Sequence, residues 1–408
     1  MARKLLFAVP DAAGALWQPK GHLCAVLCES NKETCVCVVD RFGATATDIN
    51  VGGADVVHFS WDAAGDLLTV VTSAQDGAKV FVWNSATNGL RSQLLSLERP
   101  SFALWSRTRA RLAIGSESGA LAFYDVAKGL EVAAEDMGFA QISAGAWSNA
   151  EILALGSVDG GLTIWDANGK LLKEEKLRSE PSEIRFSNAC FTYEGGAPQG
   201  TREEKTMSAL LGRETLLLLD IDQVLERKPK ARSGVAKYSE PVELVFQEVY
   251  GAPMTHTWYG DGKIAIGFSE GQVVVVSTQD VLGQELYSLH LCDEFGLVSS
   301  AFRMSGRPSW FAFASRREGA EESEEVPDLL LSLSFSEETR LLAVASVHGI
   351  VVIDTQTGFE CVESFAFSKG PGMGEPDAPA EAVSLRWSPE GDAVYAAKVG
   401  TTIRCGCV

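Results

Sequence analysis

The chain has 408 residues, with 35 Lys and Arg against 54 Asp and Glu, and its formal charge of -19 argues against nucleic acid or an anionic membrane as the main partner. An apolar share of 46% with 39 glycines suits a turn-rich all-β protein and excludes overall disorder. The length is large for one ordinary core, so a fold that divides its core among repeated units is expected.

At the start of the chain, Arg3 and Lys4 precede an apolar run that Pro10 and Asp11 cut too short for a secretory signal. No later stretch has the apolar length that spans a bilayer, and a soluble chain is expected. Residues 4–9 read instead as an isolated strand. From there one unit recurs to the end of the chain. Its clearest copy is 141–170, with short strands at 144–147, 152–156 and 162–165. Asp159-Gly160-Gly161 and the 166–169 turn supply the positive φ angles that break these strands. Three such strands cannot bury both faces alone, so the unit needs neighbours.

An aromatic residue closes the first strand of each copy: Trp17, Trp61, Trp105, Trp147, Phe186, Trp258, Phe335 and Trp387. The separations are 44, 44, 42, 39, 72, 77 and 52 residues, and the regular ones match the blade period of WD40-type propellers. A small apolar second strand and a third strand ending in a polar residue, as in Trp165-Asp166, follow most markers. Outer strands are expected at 46–51, 92–97, 130–134, 171–177, 242–249, 285–290 and 360–367. That makes seven outer strands for eight triplets, and the 4–9 strand can complete the last triplet, 385–407. The expected fold is therefore an all-β, WD40-type β-propeller of eight four-stranded units, closed by the N-terminal strand. The alternative is seven blades followed by the start of a second propeller.

The expected domain is a single propeller over 1–408, interrupted by insertions at 191–205, 221–240 and 302–328 and by a Gly- and Pro-rich linker at 368–380. Within the second insertion, Arg227, Lys228, Lys230 and Arg232 form a basic run in an acidic protein. It reads either as a solvated loop or as a contact for an acidic partner or a phosphate-bearing headgroup. Cys24, Cys28, Cys35 and Cys37 fall in the strands of the first unit and Cys405 and Cys407 in those of the last, where core packing under reducing conditions outweighs a metal or disulfide role. The five histidines show no metal-ligand spacing, and no nucleophile elbow, phosphate loop or dinucleotide fingerprint stands in its required setting. Asp220, Asp261 and Asp354 fit turns after strands. No enzyme activity, cofactor or metal is expected.

Several runs carry a more specific signal: WDAAGDLLTVV (61–71), LWSRTRARLAIGS (104–116), WSNAEILALGSVDG (147–160), RSEPSEIRF (178–186), WYGDGKIAIGFSEGQVVVVST (258–278) and LGQEL (282–286). Together they resemble the N-terminal propeller of the WD-repeat-containing protein 19 family, core subunits of intraflagellar transport complex A. Family members are longer, with a second propeller and a helical solenoid, so the resemblance implies an N-terminal fragment. The insertions depart from the family pattern. The resemblance further implies a non-enzymatic scaffold that binds other complex A subunits, and an adaptor or membrane-protein cargo, in the cilium or flagellum, the basal body and the cytoplasm. Its roles would be retrograde transport and ciliary entry of membrane proteins. Candidate contacts in its most specific runs are Arg178, Glu180 and Tyr259, alongside the basic run; each also has a core or turn reading.

Two other functions fit a propeller of this kind. One is a peptide- or modification-recognition module that reads an acidic or phosphorylated segment, and the other is a vesicle-coat-like propeller.

Overall fold

The computed structural model describes residues 4–10, 12–30, 33–74, 77–133, 141–187, 206–225, 241–259, 262–278, 283–290, 330–336, 338–346, 349–366, 382–388, 390–399 and 402–407. The described residues form eight four-stranded antiparallel sheets. The strands Ala12–Trp17, Asp55–Trp61, Pro100–Trp105, Ile142–Trp147, Pro181–Phe186, Pro253–Tyr259, Leu330–Phe335 and Ala382–Trp387 open sheets 1 to 8 in chain order. Each is the inner edge of its sheet, and each of sheets 1 to 7 continues outward through three consecutive strands. In sheet 8 the fourth strand is Lys4–Pro10, antiparallel to Thr402–Cys407, with Phe7 opposite Cys405 and Val9 opposite Ile403.

Alternation along the inner strands explains how the sheets join. The marker aromatic is buried in five of these strands and the residue two before it in seven, as Trp61 and Phe59 are, whereas Ser60 between them keeps partial exposure. Burial is shared between neighbours. Ala25, Leu27, Val36 and Val38 of sheet 1 pack with Phe59, Trp61 and Leu68 of sheet 2, and comparable clusters fill the joints from sheets 2 and 3 through sheets 7 and 8. Between sheets 8 and 1 the rings of Tyr395 and Trp17 lie 5.0 Å apart. The core is thus a series of apolar seams between sheets, which is why each unit needs its neighbours.

The marker indoles add a directional link. Trp61, Trp147 and Trp387 donate Nε1–H to the carbonyls of Leu16, Leu104 and Ser334, each on the inner strand of the preceding sheet, at 3.2, 3.1 and 2.9 Å. The turns between first and second strands are linked as well. Gln18 donates to the Gly65 carbonyl and Ser106 to Glu151, so one sheet's turn holds the next.

Second strands are small because the backbone is approached closely. A methyl on Gly115 would overlap the Phe102 ring, and one on Gly156 would overlap the Pro181 ring of sheet 5. Two outer strands differ from the sequence expectation. In sheet 2 the strand is Gly89–Leu94 rather than 92–97, because Asn88 takes a left-handed φ of 52° and turns the chain early. In sheet 5 it is Val242–Val245 only, since Glu248–Tyr250 forms a 3-10 turn that buries Tyr250.

Candidate protein-interaction surfaces

In an antiparallel sheet numbered outward, the first-to-second and third-to-fourth connections lie at one end of the strands. The second-to-third turn and the link to the next sheet lie at the other. The propeller therefore has two rims.

Arg178 and Glu180 lie in the link from Leu171–Lys176 to Pro181–Phe186, on the second rim. Arg178 is half exposed and donates Nη2–H to Thr215 Oγ1 at 3.0 Å; its guanidinium also reaches Glu243 at 3.4 Å and Glu214 at 3.8 Å. It staples the link to sheet 5 while keeping a solvent face. The carbonyl of Glu180 accepts the Gly212 amide at 2.8 Å, and its side chain is exposed. Pro181 is buried and its carbonyl accepts Ser143 Oγ–H at 2.7 Å from sheet 4.

Tyr259 is a different case and corrects the sequence reading. It is 3% exposed and packs with Leu333 and Phe335 between sheets 6 and 7, its ring 5.0 Å from that of Phe335. Burial pushes its phenol far above the ordinary value, and its hydroxyl has no hydrogen-bond partner among the described residues. A partner cannot touch this side chain, so Tyr259 belongs to the core.

Arg227, Lys228, Lys230 and Arg232 lie outside the described residues. Their flanks are described: the chain leaves sheet 5 after the short helix Ile221–Val224 and returns at Val242–Val245. That is a third-to-fourth connection, whose described ends lie at the rim opposite Arg178 and Glu180.

Sequence reasoning missed a buried polar chain between sheets 5 and 6. Trp258 donates Nε1–H to Ser208 Oγ at 2.7 Å, Ser208 Oγ lies 2.7 Å from His256 Nε2, and His256 Nδ1 lies 2.8 Å from Glu183 Oε2. The same carboxylate oxygen accepts the His256 backbone N–H at 2.8 Å, and Arg185 Nε–H donates to Oε1 at 3.0 Å. Burial raises the Glu183 pKa, but the Arg185 guanidinium and the His256 ring outweigh it and bring the pKa down to about 2. Burial lowers that of His256 more than Glu183 raises it. A neutral imidazole beside a carboxylate carries its proton on Nδ1, which leaves Nε2 to accept the Ser208 hydroxyl.

Serine, histidine and carboxylate in this order resemble a nucleophilic triad, but Ser208 and His256 are fully buried and the serine oxygen already accepts an indole N–H. No reacting atom can reach that oxygen, and the arrangement holds two sheets together. A signal was present in the sequence: Glu183 and His256 are ionisable residues on inner strands whose equivalents in sheets 1, 3 and 4 are apolar or glycine.

Cys24 is fully buried; burial is the first cause pushing the partly exposed thiols of Cys28 and Cys37 up to about 11 and 12. Among the described residues no three or more His, Cys, Asp or Glu side chains are grouped to hold a metal, and no helix is long and apolar enough to cross a membrane.

Known proteins share both fold and sequence with this chain. Solved structures matching all of it include Sqt1 of Saccharomyces cerevisiae, covered completely at a TM-score of 0.66, and the C-terminal WD40 domain of Sif2, 98% covered at 0.61. Each is 12% identical and supports the WD40 propeller fold alone. WD repeat-containing protein 19 of Mus musculus and that of Homo sapiens are each 31% identical over 258 residues, 61% of this chain and 17% of theirs. WD repeat-containing protein dyf-2 of Caenorhabditis elegans is 24% identical over 280 residues, 67% of this chain and 18% of its own. The chain thus spans less than a fifth of the length of these relatives. The family described as WDR19 first beta-propeller matches residues 14–298, and the chain belongs to it.

Proposed function

We propose that this chain is a non-enzymatic docking scaffold, a single ring of eight blades over 1–408 that serves a ciliary intraflagellar transport complex A subunit. The family match over 14–298 carries the reading. The fold supports it physically, since two rims of short connections on a rigid ring offer broad docking surfaces. Its partners would be other complex A subunits, with an adaptor or membrane-protein cargo on a second surface, at the cilium or flagellum, the basal body and in the cytoplasm. Retrograde transport and ciliary entry of membrane proteins are the roles that follow. Arg178 and Glu180, on one rim, are the proposed contacts, together with Arg227, Lys228, Lys230 and Arg232.

The test is affinity capture of the tagged 408-residue chain from a ciliated-cell extract, with mass spectrometry of what it retains. Complex A subunits are expected, and charge reversal at Arg227, Lys228, Lys230 and Arg232 or at Arg178 reports which rim holds them. Retention of unrelated proteins alone, or of nothing, would overturn the scaffold reading for this chain.

A further inference from the structure

The turns of sheets 3 and 4 at the first rim sort their charges by burial. Sheet 3 contributes 106–110 and 126–129, and sheet 4 contributes 148–151 and 167–170. Arg107, Arg109, Lys128 and Lys170 in these turns are all exposed. The carboxylates beside them are committed to the turns themselves. Glu151, whose side chain is 13% exposed, accepts the hydroxyls of Ser106, at 2.7 Å, and of Thr108. Asp125, 16% exposed, accepts the Lys128 amide at 3.1 Å and faces the Arg111 guanidinium at 3.5 Å. Asp166 accepts the amides of Asn168 and Lys170 at 2.8 and 2.9 Å. The cations keep their water: Arg109 is 60% and Lys128 70% exposed, and each reaches its carboxylate only at 3.6 Å. On the same rim the turns of sheets 1 and 2 have the opposite balance, with Lys20 and Arg41 against Asp40, Asp62 and Asp66.

The four turns are also tied into one surface. Arg111 bridges Asp125 of sheet 3 and the Ala167 carbonyl of sheet 4, and Ser106 and Thr108 fasten 106–110 to Glu151. The cations therefore stand on a base that a ligand need not order. The arginines belong to the run LWSRTRARLAIGS, which the contacts proposed above leave unused.

We propose that these turns form a docking surface for a short acidic segment of a partner protein, whose Asp or Glu side chains are received by Arg107, Arg109, Lys128 and Lys170. An arginine takes a carboxylate through two parallel N–H donors, and a lysine through a single compact charge. The positive area covers two sheets of a chain that carries -19, so a few acidic residues fit it, while a long polyanion such as nucleic acid meets repulsion beyond it. The inference rests on the docking-scaffold reading and supplies the chemistry of one partner.

Fluorescence anisotropy of the 408-residue chain tests this with two labelled peptides, Gly-Ser-Asp-Glu-Asp-Glu-Ser-Gly and Gly-Ser-Asn-Gln-Asn-Gln-Ser-Gly. The acidic peptide is expected to bind about tenfold more tightly at low salt, and its advantage to shrink as ionic strength rises. Arg109→Gln combined with Lys128→Gln should weaken it about tenfold, roughly threefold for each exposed contact. Lys173→Gln combined with Lys176→Gln, an equal change of charge on the outer strand Leu171–Lys176, should change it less than about twofold. Thermal melts establish that each variant is folded, and where the first pair melts early Lys128→Gln alone is the readout, with its threefold loss. Equal binding of the two peptides, binding of neither, or an affinity that the Arg109 and Lys128 changes leave intact would overturn the proposal. A single-stranded oligonucleotide or a phosphoserine peptide bound through the same cations while the acidic peptide is not would overturn it as well. The peptide assay uses no cell extract, so its failure leaves the capture of complex A subunits as it stands, and an empty capture leaves the peptide result as it stands.

Discussion

The joint between sheets 3 and 4 and the joint between sheets 5 and 6 begin from the same marker tryptophan and are held together differently. In the first, Trp147 donates to a main-chain carbonyl and apolar packing does the rest. In the second, Trp258 donates to Ser208, and the link continues through His256 to an ionised Glu183 that Arg185 also holds. The joint between them uses neither device. The Phe186 side chain has no N–H to donate, and there the Pro181 ring closes onto Gly156 while its carbonyl accepts the Ser143 hydroxyl. A shared position in the repeat therefore fixes where the sheets meet but not what holds them, and the polar joint brings a cost when one member is removed.

Removing the carboxylate should break the comparison most sharply. Glu183→Ala leaves Arg185, the His256 ring and a backbone N–H without their acceptor, and a loss of about 3 kcal/mol in chemical denaturation is expected. In a double-mutant cycle with His256→Ala the two losses should fall well short of adding; simple additivity would mean that the chain is not one unit. Next is Gly156→Ala, whose methyl meets the Pro181 ring and should cost about 2 kcal/mol by overpacking. Trp147→Phe keeps an aromatic ring but deletes the indole N–H bond and part of the buried volume, so about 1 to 2 kcal/mol is expected. A loss as large as that of Glu183→Ala would make the two joints equivalent.

Acid should discriminate between them too. The folded pKa of Glu183 is depressed from 4.5 to about 2, so its contribution is present above pH 4.5 and disappears as the pH falls toward 2. His58 is depressed from 6.5 to about 4 by burial, and His256 in the same direction. The unfolded chain takes up these protons first, so stability declines as pH drops below 6.5. His58→Gln should flatten the part between 6.5 and 4, while Glu183→Gln flattens the part below 4.5. The smallest effect is expected at the rim, where Arg178→Gln loosens half-exposed ion pairs and should change stability by less than about 1 kcal/mol. A melting temperature unchanged beside a weakened partner contact would mark Arg178 as a docking residue.

The repeat was legible because each marker is a large aromatic before a polar turn, and the small second strands follow from how closely Phe102 and Pro181 approach Gly115 and Gly156. The site was less legible. Trp258 and Tyr259 are consecutive aromatics, and sequence does not say that Tyr259 turns into the seam with Phe335. Glu183 and His256 are 73 residues apart, and only the pairing of their sheets brings them into contact. Charge alone cannot distinguish Arg178, tied to Thr215, Glu214 and Glu243 on a rim, from Arg185, tied to Glu183 within a joint.

The strand Lys4–Pro10 finds its partner, Thr402–Cys407, at the far end of the chain. During synthesis it is made long before its partner. At ordinary ribosomal speeds the intervening chain takes roughly 20 to 80 s to appear, long compared with the formation of any single hairpin. Throughout that interval the apolar edge Leu5, Leu6, Phe7 and Ala8 has no native neighbour, a state in which strands pair wrongly with other chains. The same pairing that leaves sheet 8 complete thus leaves the newborn chain with an unpaired apolar strand until Thr402–Cys407 leaves the ribosome.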